Sequence, residues 1–146
     1  MRISKKAEYA LRALVAIARQ PRSWSIHELS TQEKIPIKFL EQILLTLRHA
    51  GILASKRGVG GGYTLLRQPS EITLREVIRV LDGPLAPVPC AADEPSEICT
   101  CPDPQTCPVR RMMIDIRTDI ARLLEGRTIE DLVRLAPNSE TLAFEI

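Results

Sequence analysis

Aromatic residues are scarce: one Trp, two Tyr and two Phe make up 3% of 146 residues. A core built from this chain must be mostly aliphatic. No uncharged run approaches the length of a membrane span. The opening stretch MRISKKAEYALRALVAIA is broken by Glu8 and Arg12 and lacks a small-residue cleavage site, so it does not read as a secretory signal. The expected location is cytoplasmic, with no membrane partner. The length excludes a TIM barrel and a full two-half dinucleotide fold. There is no internal repeat, no thioredoxin-type C-x-x-C and no general-base constellation, so an enzyme is not expected.

What is present is unevenly placed. The formal net charge is only +2, but residues 1–67 hold 12 Lys+Arg against 4 Asp+Glu, a net +8. Residues 68–146 hold 8 Arg against 14 Asp+Glu, a net −6. A basic module suited to a polyanion is joined to an acidic module with another task.

Helical periodicity opens the chain. Ala7, Ala10, Leu11, Leu14, Val15 and Ala18 recur at three- and four-residue steps, one face of a helix from about Ser4 to Arg19. Ser4 is its expected N-cap and Pro21 stops it. Ser25 with Glu28 forms a capping box for a short helix, about Ile26 to Gln32. A turn at Glu33-Lys34-Ile35 leads to a third helix, about Pro36 to Ala50, with Phe39, Leu40, Ile43, Leu44 and Leu47 as its apolar stripe and Gly51 at its end. Short helix, tight turn and longer helix make a helix-turn-helix pattern. The runs Ile52–Arg57 and Tyr63–Arg67 flank Gly58-Val59-Gly60-Gly61-Gly62, the pattern of a β-hairpin wing. The glycine run lacks the Lys-Ser/Thr of a phosphate loop and enters a strand rather than a helix.

Thr73 with Glu76 caps a helix of about Leu74 to Leu81, and Gly83 lies near its end. Residues 84–108 then hold seven of the 11 prolines and all 4 cysteines. A loop this long inside a small chain is usually functional or disordered. Val109, Met112, Met113, Ile116, Ile120, Leu123 and Leu124 sustain a helical stripe up to Gly126. Thr128 caps a last short helix to about Leu135, and 136–146 read as a frayed tail. The expected architecture is mainly α, a winged helix-turn-helix domain with a small β-hairpin wing plus a long C-terminal dimerisation helix. Its expected parts are a DNA-binding domain at 1–83, a Cys/Pro-rich sensor loop at 84–108, the dimerisation helix at 109–126, and a short helix and tail at 127–146.

Two features carry chemistry. A recognition helix works by presenting polar side chains to base edges in the major groove. Lys38, Glu41, Gln42 and Arg48 occupy the expected outer positions. Glutamine can bond an adenine edge, glutamate can accept from cytosine, and lysine can reach guanine or phosphate. Lys56 and Arg57 would put positive charge on the wing, beside the backbone or minor groove. The competing reading is an ordinary solvated helix face. The second feature is the cluster Cys90-x8-Cys99-x1-Cys101-x5-Cys107. Thiolates bind zinc and iron–sulfur clusters alike. The tight Cys99-x-Cys101 pair fits a zinc knuckle poorly. A metal or cluster site, a thiol switch and unreactive thiols all stay open. His27 and His49 read as surface residues rather than ligands.

The stretch Lys34 to Leu44, then Leu47-Arg48, Ala50-Gly51-Ile52-Leu53 and Arg57-Gly58-Val59-Gly60-Gly61-Gly62-Tyr63, closely resembles the IscR/NsrR/CymR family of bacterial winged-helix regulators. Ile3-Ser4, Glu8 to Arg12, Ile72-Thr73-Leu74 and Asp82-Gly83-Pro84 fit as well, so the resemblance covers about residues 1–126. It implies a homodimeric transcription regulator binding a pseudo-palindromic site in double-stranded DNA, with the long helix as dimer contact. It also implies an iron–sulfur cluster, 2Fe-2S ahead of 4Fe-4S, held by three cysteines before that helix. Cys90, Cys101 and Cys107 match those places, and Cys99 is an alternative middle ligand. The histidine that IscR-like members carry three positions after the last cysteine is Arg110 here. NsrR-like members use an acidic residue near the partner's N-terminus as fourth ligand, and Glu8 occupies that place. Such a set would suit sensing of redox state, nitric oxide or cluster supply. The same fold without a cluster, working as a thiol switch or through a protein partner as CymR-like members do, is the alternative. A small zinc-stabilised interaction protein with no DNA role is a third reading.

Overall fold

The computed structural model describes residues 2–93 and 100–137. Helix α1 spans Lys5–Arg19, α2 Ile26–Glu33 and α3 Ile37–His49. Strands β1, Leu53–Lys56, and β2, Gly62–Leu65, form the antiparallel hairpin. Helix α4 spans Leu74–Asp82, α5 Pro108–Glu125 and α6 Ile129–Leu135, with a 3-10 turn at Pro89–Ala91 between α4 and α5. The expected mainly helical fold with a small hairpin is what forms.

The caps explain the boundaries. Ser4 Oγ accepts from the Ala7 amide at 3.0 Å, and Thr73 Oγ1 accepts from the Glu76 amide at 3.1 Å. At Ser25 the capping box is complete: its hydroxyl accepts from Glu28 N, and the Glu28 carboxylate accepts from Ser25 N at 2.9 Å. Those bonds satisfy amides that a helix start otherwise leaves unpaired. They also hold the Glu28 carboxyl below the usual range, the Ser25 amide first and Arg22 second. Lys34 turns the chain out of α2 with φ at 53°, a left-handed conformation rare outside glycine and short polar residues.

The core is aliphatic except for the single tryptophan. Trp24 is 1% exposed, and its indole donates to the Gln20 carbonyl at 3.0 Å. The same buried cluster includes Leu14, Ile17, Leu29, Leu40, Ile43, Leu44 and Leu47. Helix α1 is buried more widely than one stripe suggests. Ala13, Ala16 and Ile17 are buried with Ala7, Ala10 and Leu14, whereas Leu11, Val15 and Ala18 are only half-buried. The reason is its central position: α1 packs on α3, α4 and α6 at once. Phe39 departs from its expected place in the α3 stripe. It is 45% exposed and meets Tyr9 edge to face, ring centres 6.3 Å apart.

The last helix joins this same core. Ile129 is buried, its amide donates to Ile72 O at 3.0 Å, and Leu74 N donates to Arg127 O at 2.9 Å. By contrast α5 buries no residue fully within this chain. Among the described residues no helix is long and apolar enough to cross a membrane.

Candidate nucleic-acid interface and cysteine loop

The tight turn at Lys34 sets α3 against α2, and four buried aliphatic side chains, Leu40, Ile43, Leu44 and Leu47, fix which face α3 shows to solvent. That face carries Lys38, Glu41, Gln42 and Arg48, all exposed. Leu45 lies among them at 45% exposure, an apolar group of the kind that contacts a thymine methyl. Its position outside the apolar stripe of α3 is the available signal, but the sequence reading considers only polar side chains as contacts.

The wing is placed by two contacts. Trp24 and Tyr63 exchange backbone hydrogen bonds, Trp24 N to Tyr63 O at 3.0 Å and Tyr63 N to Trp24 O at 2.7 Å. Arg48 donates from Nη1 to Ser55 Oγ at 3.1 Å, joining the end of α3 to β1. Lys56 and Arg57 then stand exposed at the wing. Gly62 explains part of the glycine run. Its φ is +146°, and a Cβ there would collide with the Trp24 carbonyl. The structure thus gathers Lys38, Glu41, Gln42, Arg48, Lys56 and Arg57 on one helix and its adjoining wing.

The cysteine loop presents a different picture. Cys107 is the N-cap residue of α5, and Cys90 lies in the 3-10 turn that packs against α5. Both are half-buried, whereas Cys101 is exposed. Two arginines of α5 fasten the turn. Arg110 Nε donates to Cys90 O at 3.1 Å, and Arg117 Nη1 donates to Ala91 O at 2.6 Å while pairing with Asp93 at 3.0 Å. Neither arginine was singled out as a tether from sequence, since an arginine on an amphipathic helix reads as solvated surface. Cys99 lies outside the described residues. Glu8 is exposed on α1 and pairs with Lys5 at 3.2 Å. Among the described residues no three Cys, His, Asp or Glu side chains converge on a common metal position. The thiol donors have the softness that iron–sulfur chemistry requires, but they are not gathered among the described residues. His27 and His49 are exposed, as expected.

A basic recognition helix beside a positively charged wing, on a helical core, defines a winged helix-turn-helix DNA-binding regulator. Comparison with known proteins narrows this. The family model "Rrf2: Iron-dependent Transcriptional regulator" matches residues 3–135. A putative HTH-type transcriptional regulator, rrf2-like, of Rhodobacter capsulatus is 37% identical over 137 residues, covering 90% of this chain and 91% of that protein. The regulator CymR of Bacillus subtilis is 34% identical over 134 residues, 90% of this chain and 89% of its own. Its solved structure, described as that of the global cysteine regulator of B. subtilis, superposes with a TM-score of 0.76 at 31% identity, over 94% of this chain and 99% of that one. IscR of Aliivibrio salmonicida is 30% identical over 135 residues, 91% of this chain and 77% of its own. The chain belongs to the Rrf2 family of transcriptional regulators, proteins that bind DNA and are not enzymes.

Proposed function

We propose that the protein is a homodimeric transcription regulator that acts in the cytosol on a pseudo-palindromic operator and reads a signal through its cysteine loop. The observation that carries this reading is the attachment of the Cys90 turn to α5 by Arg110 and Arg117. Helix α5 leaves Val109, Met112, Ile116 and Leu123 outward, 38–61% exposed. These fall at heptad-like steps, and a second copy of the helix would cover them. A sensor turn fastened to a dimer contact can change the spacing of the two recognition helices, which half-site spacing then reads. In this division 1–83 holds DNA, 84–108 senses, 109–126 dimerises and 127–146 includes the helix that closes the core.

An iron–sulfur cluster is the proposed resident group. Cys90, Cys101 and Cys107 would supply thiolates, with Cys99 as alternative to Cys101 and Glu8 of the partner subunit as fourth donor. Such a cluster supplies one-electron and ligand-exchange chemistry, and a single carboxylate among thiolates makes it labile. The chain's part is to hold Cys90 and Cys107 at one end of α5. Arg110 stands one turn beyond Cys107 and offers a guanidinium, which donates but does not ligate.

Anaerobic purification with a visible-absorption spectrum, iron and sulfide analysis and DNA-binding selection tests this. A coloured, iron- and sulfide-containing dimer that selects a palindromic site is expected. Colourless protein with reduced thiols that still selects DNA would remove the cluster and leave the regulator. A reversible disulfide that alters DNA affinity would then favour the thiol-switch reading.

A further inference from the structure

Between α4 and α5 lies a cavity of about 510 Å³, within the size range of small-molecule sites. Its lining is unusual for its surroundings. Residues 68–146 carry 14 acidic side chains against 8 Arg, yet four of those arginines, Arg75, Arg79, Arg117 and Arg122, line this one cavity with only Asp93 and Glu125 opposing them. The charges do not cancel. Arg117 is committed to Asp93 at 3.0 Å, and Arg75 to Glu125 at 3.7 Å. Among the described residues Arg122 pairs only with Asp119, between two largely exposed side chains at 3.2 Å. Arg79 has no carboxylate partner among the described residues. Arg75 and Arg79 stand one turn apart on α4 and so face the same way. Leu85, Ile120 and Leu124 supply an apolar part of the wall.

We propose that this cavity is an effector site for a compact organic anion bearing at least two negative charges, a phosphate ester or a polycarboxylate. Guanidinium groups match both anions with paired, charge-assisted hydrogen bonds. The apolar wall would accept the carbon part. The site touches the elements that regulation must connect. Arg75 and Arg79 belong to α4, and the C-terminal Asp82 of that helix accepts from Ser4 N at the start of α1, at 2.8 Å. Gly83 caps α4, Pro84 and Leu85 begin the cysteine loop, and Asp93 follows Cys90 by three residues. Arg117 and Arg122 belong to α5. A ligand bridging Arg79 and Arg122 would stiffen α4 against α5 and set the loop between them. No residue of the lining belongs to the outward stripe Val109, Met112, Ile116 and Leu123, so α5 can dimerise and bind the anion together. The proposal depends on the regulator reading for its effect on DNA, but not for the binding itself.

Isothermal titration calorimetry of the full chain at low salt, with phenyl phosphate and with citrate as probes, tests it. Saturable binding of one probe per chain is expected, weakened about tenfold or more in Arg79→Gln. Arg111→Gln, an exposed arginine of α5 outside the cavity, should bind as the parent does. Tighter phenyl phosphate assigns a phosphate ester, and tighter citrate a polycarboxylate. No saturable heat from either probe, or equal weakening in both variants, overturns the site. Operator affinity with saturating probe should shift several-fold in the parent and not in Arg79→Gln, and an unchanged affinity overturns the effector role. Failure of the ligand-free protein to bind any DNA would count against the regulator reading instead.

Discussion

Arg110, on the first turn of α5, donates from Nε to the carbonyl oxygen of Cys90, 3.1 Å away and 20 residues back in the chain. The bond brings the first cysteine of the loop to the helix that begins at the last one. Replacing Arg110 by Ala should loosen the Cys90 turn, which Arg117 still holds at Ala91 and Asp93. A side-chain bond of this kind is worth about 0.5–1.5 kcal/mol net. Cys90 alkylation in the metal-free, reduced protein should therefore quicken by up to about tenfold, read by mass spectrometry, with the thermal midpoint nearly unchanged. Equal Cys90 rates in parent and variant would show that the bond does not restrain the turn.

On the proposed DNA face two substitutions should separate specificity from affinity. Gln42→Ala removes an exposed group that we propose reads a base edge, and should cost about 1–3 kcal/mol on the selected operator, with relaxed preference at one base position. Arg57→Ala removes a wing charge. It should weaken binding to all sequences alike and lower the salt slope by about one. Fluorescence anisotropy over a salt series checks both.

Gly62 should not tolerate a methyl group. Its positive φ and the nearby Trp24 carbonyl make Gly62→Ala cost roughly 1–3 kcal/mol in urea unfolding. The exchange of backbone bonds between Trp24 and Tyr63 would suffer, and with it the wing's share of DNA affinity. Gly51→Ala meets open space but keeps a φ of +76°, so it should be the milder of the two.

Helix α5 should fail as a dimer contact when charged. Ile116→Glu would bury an unpaired carboxylate, at roughly 3–5 kcal/mol. Sedimentation velocity should show monomer where the parent is dimeric, and affinity for a full palindrome should fall toward that for a half-site. A dimeric Ile116→Glu protein would show that another surface joins the subunits.

Acid should loosen the capping box of α6. Asp131 has its carboxyl held below the usual range, chiefly by the Thr128 amide. A folded-state value below the unfolded one contributes stability above the unfolded value, and that contribution is lost as pH falls through the folded value. Asp131→Asn should therefore be less stable than the parent at neutral pH, and the gap should close in acid. Urea midpoints at about pH 7 and about pH 3 test the sign.

Much of this protein is decided locally. Ser4, Ser25, Thr73 and Thr128 cap four helices because each side chain reaches an amide three residues on, a relationship contained within one turn. The recognition helix and the glycine-rich wing follow from periodicity and punctuation of the same short range. Tertiary structure decided what depends on neighbours far along the chain. Phe39 stands partly exposed and meets the ring of Tyr9, 30 residues back on α1, and α1 is buried on more than one side because α6 returns to it. Arg110 and Arg117 became tethers only when the Cys90 turn folded back onto α5. Arg79 faces a cavity only because α4 and α5 lie side by side. A side chain's reach is a few ångströms, so sequence reveals partners within a turn, and packing alone supplies partners tens of residues away.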